Sequence, residues 1–240
     1  MLADRDLSQR IAAQMLRKQQ LVAALAGDAD MMARLQALRA WQSARLAATY
    51  ADLRTDPRHQ AAIEFFLDEI YGTHDFAPRD RELHRAWSIL EKTLPTAAMR
   101  VLGDALDLEL LSLELDCAVA RALRTAVIDS GSYAEAYRAA NRQVDRTRQL
   151  QLIASLARRL ADVVTHPWIG QLLRIARPAA LAAGFGVLQD FLERGFTAFQ
   201  TLGDASTFID VIETREGLLS RRLFTMQSEV SSTTPPQGMT

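Results

Sequence analysis

The stretch Thr96–Ile128, TAAMRVLGDALDLELLSLELDCAVARALRTAVI, decides the fold. Pro95 precedes it at a place where helices tolerate proline, and Ser130-Gly131-Ser132 closes it, so one long helix is expected over about 96–128. At a helical step, Asp107 and Glu114 share one face, with Asp104 about 60° away. Glu109 and Asp116 share the opposite face, with Ser112 beside them. The flanks between are apolar: Leu106, Leu110, Leu113 and Cys117 on one side, Leu108, Leu115, Val119 and Ala126 on the other. A helix with two apolar flanks must be packed on both, so this is the expected central helix. Asp104, Asp107 and Arg121 read as its solvated face, and Glu109 and Asp116 as the inner stripe. A buried carboxylate without a partner is costly. The inner acids therefore either pair with Arg of a neighbouring helix or line a ligand or metal pocket.

Helical spacing extends outward from this stretch in both directions. Leu7, Ile11, Met15, Leu16, Val22 and Leu25 fit a first helix, broken at Gly27. Asp28 can cap a second, which carries Met31, Leu35, Leu38, Trp41, Ala44, Leu46 and Leu53 and stops before Pro57. Residues 1–54 are thus expected to form a helical hairpin. A third helix runs over about 58–71 and a fourth over about 78–93. After the central helix, Ser132 is the expected N-cap of a sixth, with Glu135 at capping-box spacing. A break near Asp145 separates it from a helix ending at His166-Pro167. A short piece over 168–175 follows. Pro178 restarts the chain into a helix over about 179–202, which includes Gly184-x-Gly186. Gly203-Asp204 stop and cap before a last helix over about 205–226. The segment 228–240, rich in Ser, Thr and Pro, reads as a disordered tail. The expectation is an all-α, bundle-like fold of eight to ten helices: one domain over 1–226 and a tail over 227–240.

Composition agrees and excludes several functions. Of 240 residues, 39 are Ala and 34 are Leu, strong helix formers interrupted by only 11 Gly and 7 Pro. A formal charge of −1 is not the footprint of a general nucleic-acid binder, and a single Cys excludes a disulfide framework. Met1–Gln20 is charged and amphipathic, and the apolar run Ala179–Leu188 is too short to span a bilayer. We expect a cytoplasmic protein with no membrane role.

Searches for chemistry yield little. Asp80 with His84, and Asp162 with His166, stand four apart, a spacing that serves a metal or an ordinary charge pair. No Glu-x-x-His, phosphate-binding loop, dinucleotide fingerprint or Gly-x-Ser-x-Gly occurs. Cys117 lies on an apolar flank, where a small buried residue belongs. Neither a metal nor a cofactor is expected. Charge, however, is segregated. Residues 132–178 hold eight Arg against three acids, while 55–131 hold eight bases against fourteen acids. Arg138, Arg142 and Arg146 step four apart along one helix face, and either form an anion or nucleic-acid surface or answer the acids of the third and central helices. Phe185, Phe191, Phe196, Phe199 and Phe208, with Trp168, pack the core or line an apolar pocket.

The third helix carries Phe65-Phe66-Leu67-Asp68-Glu69-Ile70-Tyr71, followed by Gly72 and Asp75-Phe76. This FFLDEIY segment resembles the signature of bacterial proteins named for an FFLEELY motif, with Asp68 for Glu and Ile70 for Leu. The run from Leu188 through Phe196, Phe199, Phe208, Ile212 and Arg215-Glu216 is similar to that family too. The resemblance implies a helical bacterial protein and no particular activity. Glu69 is expected to pair with an Arg of residues 138–148. The leading functional expectation is a non-catalytic interaction or regulatory module, with protein partners that include a second copy of itself. The alternative is a helical enzyme or a binder of an anion or lipid-like ligand. Its pocket would lie between the central and Arg-rich helices, with Glu69, Glu109, Asp116, Arg138 and Arg142 as the ligand-binding residues.

Overall fold

The long apolar flanks of residues 96–122 organise everything around them. The computed structural model describes residues 2–69, 72 and 76–225, and among these residues eleven α-helices and no strand occur. They are α1 Leu2–Ala26, α2 Ala29–Thr49, α3 Ala51–Thr55, α4 Pro57–Glu69, α5 Ala77–Thr93 and α6 Thr96–Ala122, then α7 Ser130–Ala139, α8 Gln143–Val164, α9 Pro167–Ala182, α10 Gly186–Leu202 and α11 Ser206–Thr225. The fold is all-α and bundle-like. Its helix count exceeds eight to ten because Tyr50 separates a short α3 from α2. The expected tail at 228–240 lies outside the described residues.

α6 packs against α1, α2, α7 and α8. Both of its flanks are buried, and it contributes to each of three apolar clusters. Met99 and Leu106 meet Ile11 and Met15 of α1 and Leu83 of α5. Leu113, Cys117 and Val119 meet Leu35 and Leu38 of α2 and Tyr133 and Tyr137 of α7. Leu108 joins Ile63, Phe65, Ile153, Phe199 and Phe208 from α4, α8, α10 and α11. α6 ends at Ala122, earlier than residue 128. The Leu123 amide bonds back to Val119, and Arg34 Nη1 takes the Leu123 carbonyl at 3.2 Å, so the last turn is capped from α2. α1 and α2 each rest more on α6 than on one another, so the two are packed side by side on the central helix.

Helix boundaries follow local chemistry. Asp28 caps α2 by accepting from the Met31 amide at 2.9 Å. Asp204 accepts from the Ser206 amide after Gly203, whose φ is 65°. α7 starts one turn before the expected Ser132. Asp129 is the N-cap, its carboxylate accepting from the Ser132 amide at 2.8 Å, and Ser132 Oγ accepts from the Asp129 amide at 2.9 Å. The α7–α8 break falls at Asn141, φ 50°, rather than at Asp145. α9 continues through Pro178, and the chain turns at Gly184, φ 74°. Gly184 therefore belongs to a turn and not to the interior of the helix expected over 179–202. Gly195 does sit at a helix crossing: a Cβ there would lie 2.9 Å from the Phe65 ring.

Candidate functional site

The acids of α6 are answered on both faces, largely by α1. Arg10 Nη2 reaches Asp104 at 3.3 Å and Asp107 at 3.5 Å, Gln14 donates to Asp107, and Arg17 reaches Glu114 at 2.5 Å. Arg159 adds a contact to Asp104 at 3.1 Å. The face read as solvated is thus roofed by α1, whose own polar stripe lies against it.

Glu109 sits in a compact ionic cluster. Lys18 Nζ lies 2.5 Å from Glu109 and 2.7 Å from Asp80, and Arg79 Nη2 lies 2.6 Å from Glu109 and 3.3 Å from Asp80. Arg79 is buried, with its guanidinium 5.1 Å from the Phe76 ring centre and 4.7 Å from that of Phe191. Burial alone raises the Glu109 pKa, but Lys18 and Arg79 outweigh it and hold the carboxyl below its ordinary range. Burial likewise opposes the Arg79 charge, and Glu109 and Asp80 outweigh it. Sequence reasoning missed Arg79, which reads as a surface residue at the start of α5. Its flanking Phe76 was the available signal.

Of the other expected site residues, Glu69 also supports the Arg79 charge, whereas Asp116, Arg138 and Arg142 are engaged by other groups. Glu69 is buried and accepts from Arg194 Nη1 at 2.6 Å, while Arg194 Nη2 reaches Asp68 at 3.1 Å. Its partner comes from α10 and not from residues 138–148, because α10 is the helix packed along α4. Asp116 accepts from Gln42 Nε2 at 3.2 Å and Arg39 Nε at 3.5 Å, both on α2. Arg138 donates to the Leu223 carbonyl at 3.1 Å, and Arg142 to Asp145. Glu69 and Glu109 thus both support the Arg79 charge, while Asp116, Arg138 and Arg142 each meet other partners, so the five do not form one site. The break at Asn141 removes the shared face of Arg138, Arg142 and Arg146 and turns Arg146 inward.

That inward turn builds a polar chamber where α2, α7, α8 and α11 meet. It encloses about 30 Å³ and is lined by Gln42, Arg45, Tyr133, Tyr137, Arg146, Gln149 and Glu216, among others. Arg146 Nη1 donates to Gln149 Oε1 at 3.0 Å, and its guanidinium lies 4.8 Å from the Tyr137 ring centre. Gln149 Nε2 donates to Ser112 on α6 at 2.7 Å. Arg45 grips both oxygens of Glu216 at 2.9 and 3.1 Å, and Tyr50 OH donates to the same carboxylate at 3.0 Å. A larger, shallower groove of about 350 Å³ runs between α4 and α10, past Phe65, Asp68, Glu193 and Arg194.

The remaining candidates are ordinary in their surroundings. Asp80 is engaged by Lys18 and Arg79, and His166 Nδ1 lies 3.0 Å from the Asp162 carbonyl. Among the described residues no group of three or more His, Cys, Asp or Glu is arranged to hold a metal. Cys117 is buried, and burial pushes its thiol up, away from thiolate chemistry. Phe199 and Phe208 are core residues, while Trp168 is half exposed. No described helix is long and apolar enough to cross a membrane.

No curated protein and no solved structure matches the chain. The sequence profile of one family, described as a domain of unknown function (DUF8198), matches residues 21–230, which span α2 to α11, and the chain belongs to that family.

Proposed function

We propose that this protein is a non-catalytic interaction module that pairs with a second copy of itself through the outward face of α9. The observation that carries this reading is a heptad stripe left open. None of the α9 residues is buried, and Trp168, Leu172, Ile175, Ala179 and Ala182 follow one another at spacings of four and three. That is the seam of a helix pair. Ile175, at its middle, is 68 % exposed, with Trp168 and Leu172 about half exposed.

The occupant is argued from shape. Large side chains fill the first half of the stripe and small ones the second. In an antiparallel pairing about a two-fold axis at Ile175, Trp168 and Leu172 of one copy face Ala182 and Pro178 of the other. Each knob then meets a hole, and the same patch serves both partners. Such an isologous contact needs no second gene product. The FFLDEIY segment further supports placing the protein among bacterial FFLEELY-motif proteins.

Sedimentation of the full chain tests the pairing. A dimer is expected at micromolar concentration, and Ile175→Glu is expected to yield a monomer with an unchanged melting curve, since the residue contributes little to the fold. A wild-type chain that stays monomeric at the highest attainable concentration overturns the reading.

A further inference from the structure

We propose that the groove between α4 and α10 docks a basic segment of a partner protein, taking one arginine side chain between Glu64 and Asp68. No α9 residue lines this groove, so the inference is independent of the pairing through α9.

Helical spacing builds the groove. Ala61, Glu64, Phe65 and Asp68 lie three, four and seven residues along α4, so they share one face and form a wall about 10 Å long. Glu193, Thr197 and Ala198 of α10 form the opposite wall. The FFLDEIY segment thus supplies both part of the apolar base, Phe65, and a charged rim residue, Asp68. The base is fixed before anything binds. Gly195 lets the Phe65 ring press onto α10, where a Cβ would stand 2.9 Å away, and the Phe191 ring centre lies 5.5 Å from that of Phe65. A volume of about 350 Å³ falls at the lower end of small-molecule sites, which enclose about 300–1,000 Å³. This groove is shallow, however, and covers an occupant from one side only. A side chain carried on a longer segment suits it better, because the segment gains further contacts along exposed α10 positions such as Thr197 and Thr201.

Charge selects the side chain. Glu64 accepts from Gln60 Nε2 at 3.0 Å and meets no cation among the described residues. Asp68 meets Arg194 through one oxygen only, and the other terminal nitrogen of Arg194 is held by Glu69. Glu193 shares Arg177 with Asp190. Two guanidiniums are thus divided among Asp68, Glu69, Asp190 and Glu193, and neither reaches Glu64. Like charges one turn apart on a helix destabilise each other, so Glu64 and Asp68 gain from a cation placed between them. Glu64 Oε2 and Asp68 Oδ1 have no donor among the described residues, and the Asp68 side chain is 61 % exposed. A guanidinium fits both rim and base. Its donors lie in one plane and reach two carboxylates at once, while its weakly hydrated faces and methylene stem suit Ala61, Phe65 and Ala198.

The test is a titration of the full chain with the peptide acetyl-Ala-Leu-Arg-Ala-Leu-Ala-amide at low salt, followed by nuclear magnetic resonance of the backbone amides. The same peptide with citrulline for arginine, alike in shape but uncharged, is titrated in parallel. Saturable shifts are expected at Asp68 and Thr197 with the arginine peptide, and much weaker ones with citrulline. An exposed ion pair is worth a factor of about 1.4–5, so Glu64→Gln combined with Asp68→Asn is expected to weaken binding about 2–30-fold. Asp30→Asn combined with Glu135→Gln removes the same charge from exposed positions of α2 and α7 and is expected to bind as the wild type does. Ile175→Glu is expected to bind unchanged as well, so the groove and the α9 pairing stand or fall separately. Equal shifts with the citrulline peptide overturn the proposal. So does a Glu64 and Asp68 double variant that binds no more weakly than the Asp30 and Glu135 one, and so does the absence of saturable shifts at the groove.

Discussion

Glu109 shows how much depends on a residue's partners. Two cations, Lys18 and Arg79, meet it within hydrogen-bonding distance, and both also reach Asp80. Glu109→Gln leaves Lys18 and Arg79 with half of their counter-charge in a largely buried place. Breaking such a pair costs about 2–4 kcal/mol, toward the lower end of buried ion pairs because part of the side chain reaches water. Urea unfolding at neutral pH measures this. The sign of the pH dependence follows from the direction of the shift. The folded carboxyl is held below its ordinary value, so its stabilisation is complete above about pH 4.5 and is lost as pH falls through the lower folded value. Wild-type stability should therefore decline below about pH 4.5 more steeply than that of Glu109→Gln, which has no carboxyl to protonate there. Equal slopes would place the ionic cluster outside the folding equilibrium.

At the scale of elements, helical spacing and caps were readable, while breaks and partners were not. The flanks of α6 were legible because a period of 3.6 residues is local. So were the caps at Asp28 and Asp204, where the capping residue and its amide are two or three positions apart. The break at Asn141 was not, since Asn tolerates the left-handed region without announcing it. Pro178 was a false stop. α9 has no residue in the core, and Pro178 itself stands at an exposed position, where its ring meets no packed neighbour helix. The real stop, Gly184, gives a clean test. A Cβ at Gly184 would come no closer than 3.6 Å to its nearest neighbour, Arg85 Nη2, so no clash is introduced. Gly184→Ala should cost about 1–2 kcal/mol from backbone conformation alone. Thermal unfolding should then show a lower midpoint with an unchanged fold by circular dichroism. A helix running unbroken through residue 184 would predict the reverse, a gain from replacing Gly by Ala. The partners of Glu69 and of the α6 acids were illegible for a different reason. Arg194 and Arg10 lie far away in sequence, and only the packing of α10 on α4 and of α1 on α6 brings them close.

At the scale of the molecule, α1 raises the question of whether its first twenty residues, which precede the family match, are an accessory. The packing says they belong to the fold. Ile11 is fully buried and Met15 nearly so, against Leu83, Met99 and Leu106. Gly103 of α6 allows the approach: a Cβ there would stand 3.0 Å from Arg10 Nη2 and 3.3 Å from Ile11 Cγ1. Around this apolar contact, Arg10, Gln14, Arg17 and Lys18 lie on Asp104, Asp107, Glu114 and Glu109. Burying the two apolar side chains is worth about 1.5–3 kcal/mol each, whereas the more exposed ion pairs add less than about 1 kcal/mol apiece. Deleting residues 1–20 should therefore remove on the order of 4 kcal/mol, or about 8–16 °C of melting temperature in a chain of this size. It would also take a partner from four acids on the central helix, of which Glu109 keeps Arg79 and Asp104 keeps Arg159. The two contributions separate by salt. Because screening weakens the exposed pairs and leaves the apolar contact intact, molar sodium chloride should raise hydrogen exchange in α1 only a few-fold and leave it docked. If salt alone released α1 to full exchange, the ion pairs would be what holds it, and the deletion would cost far less.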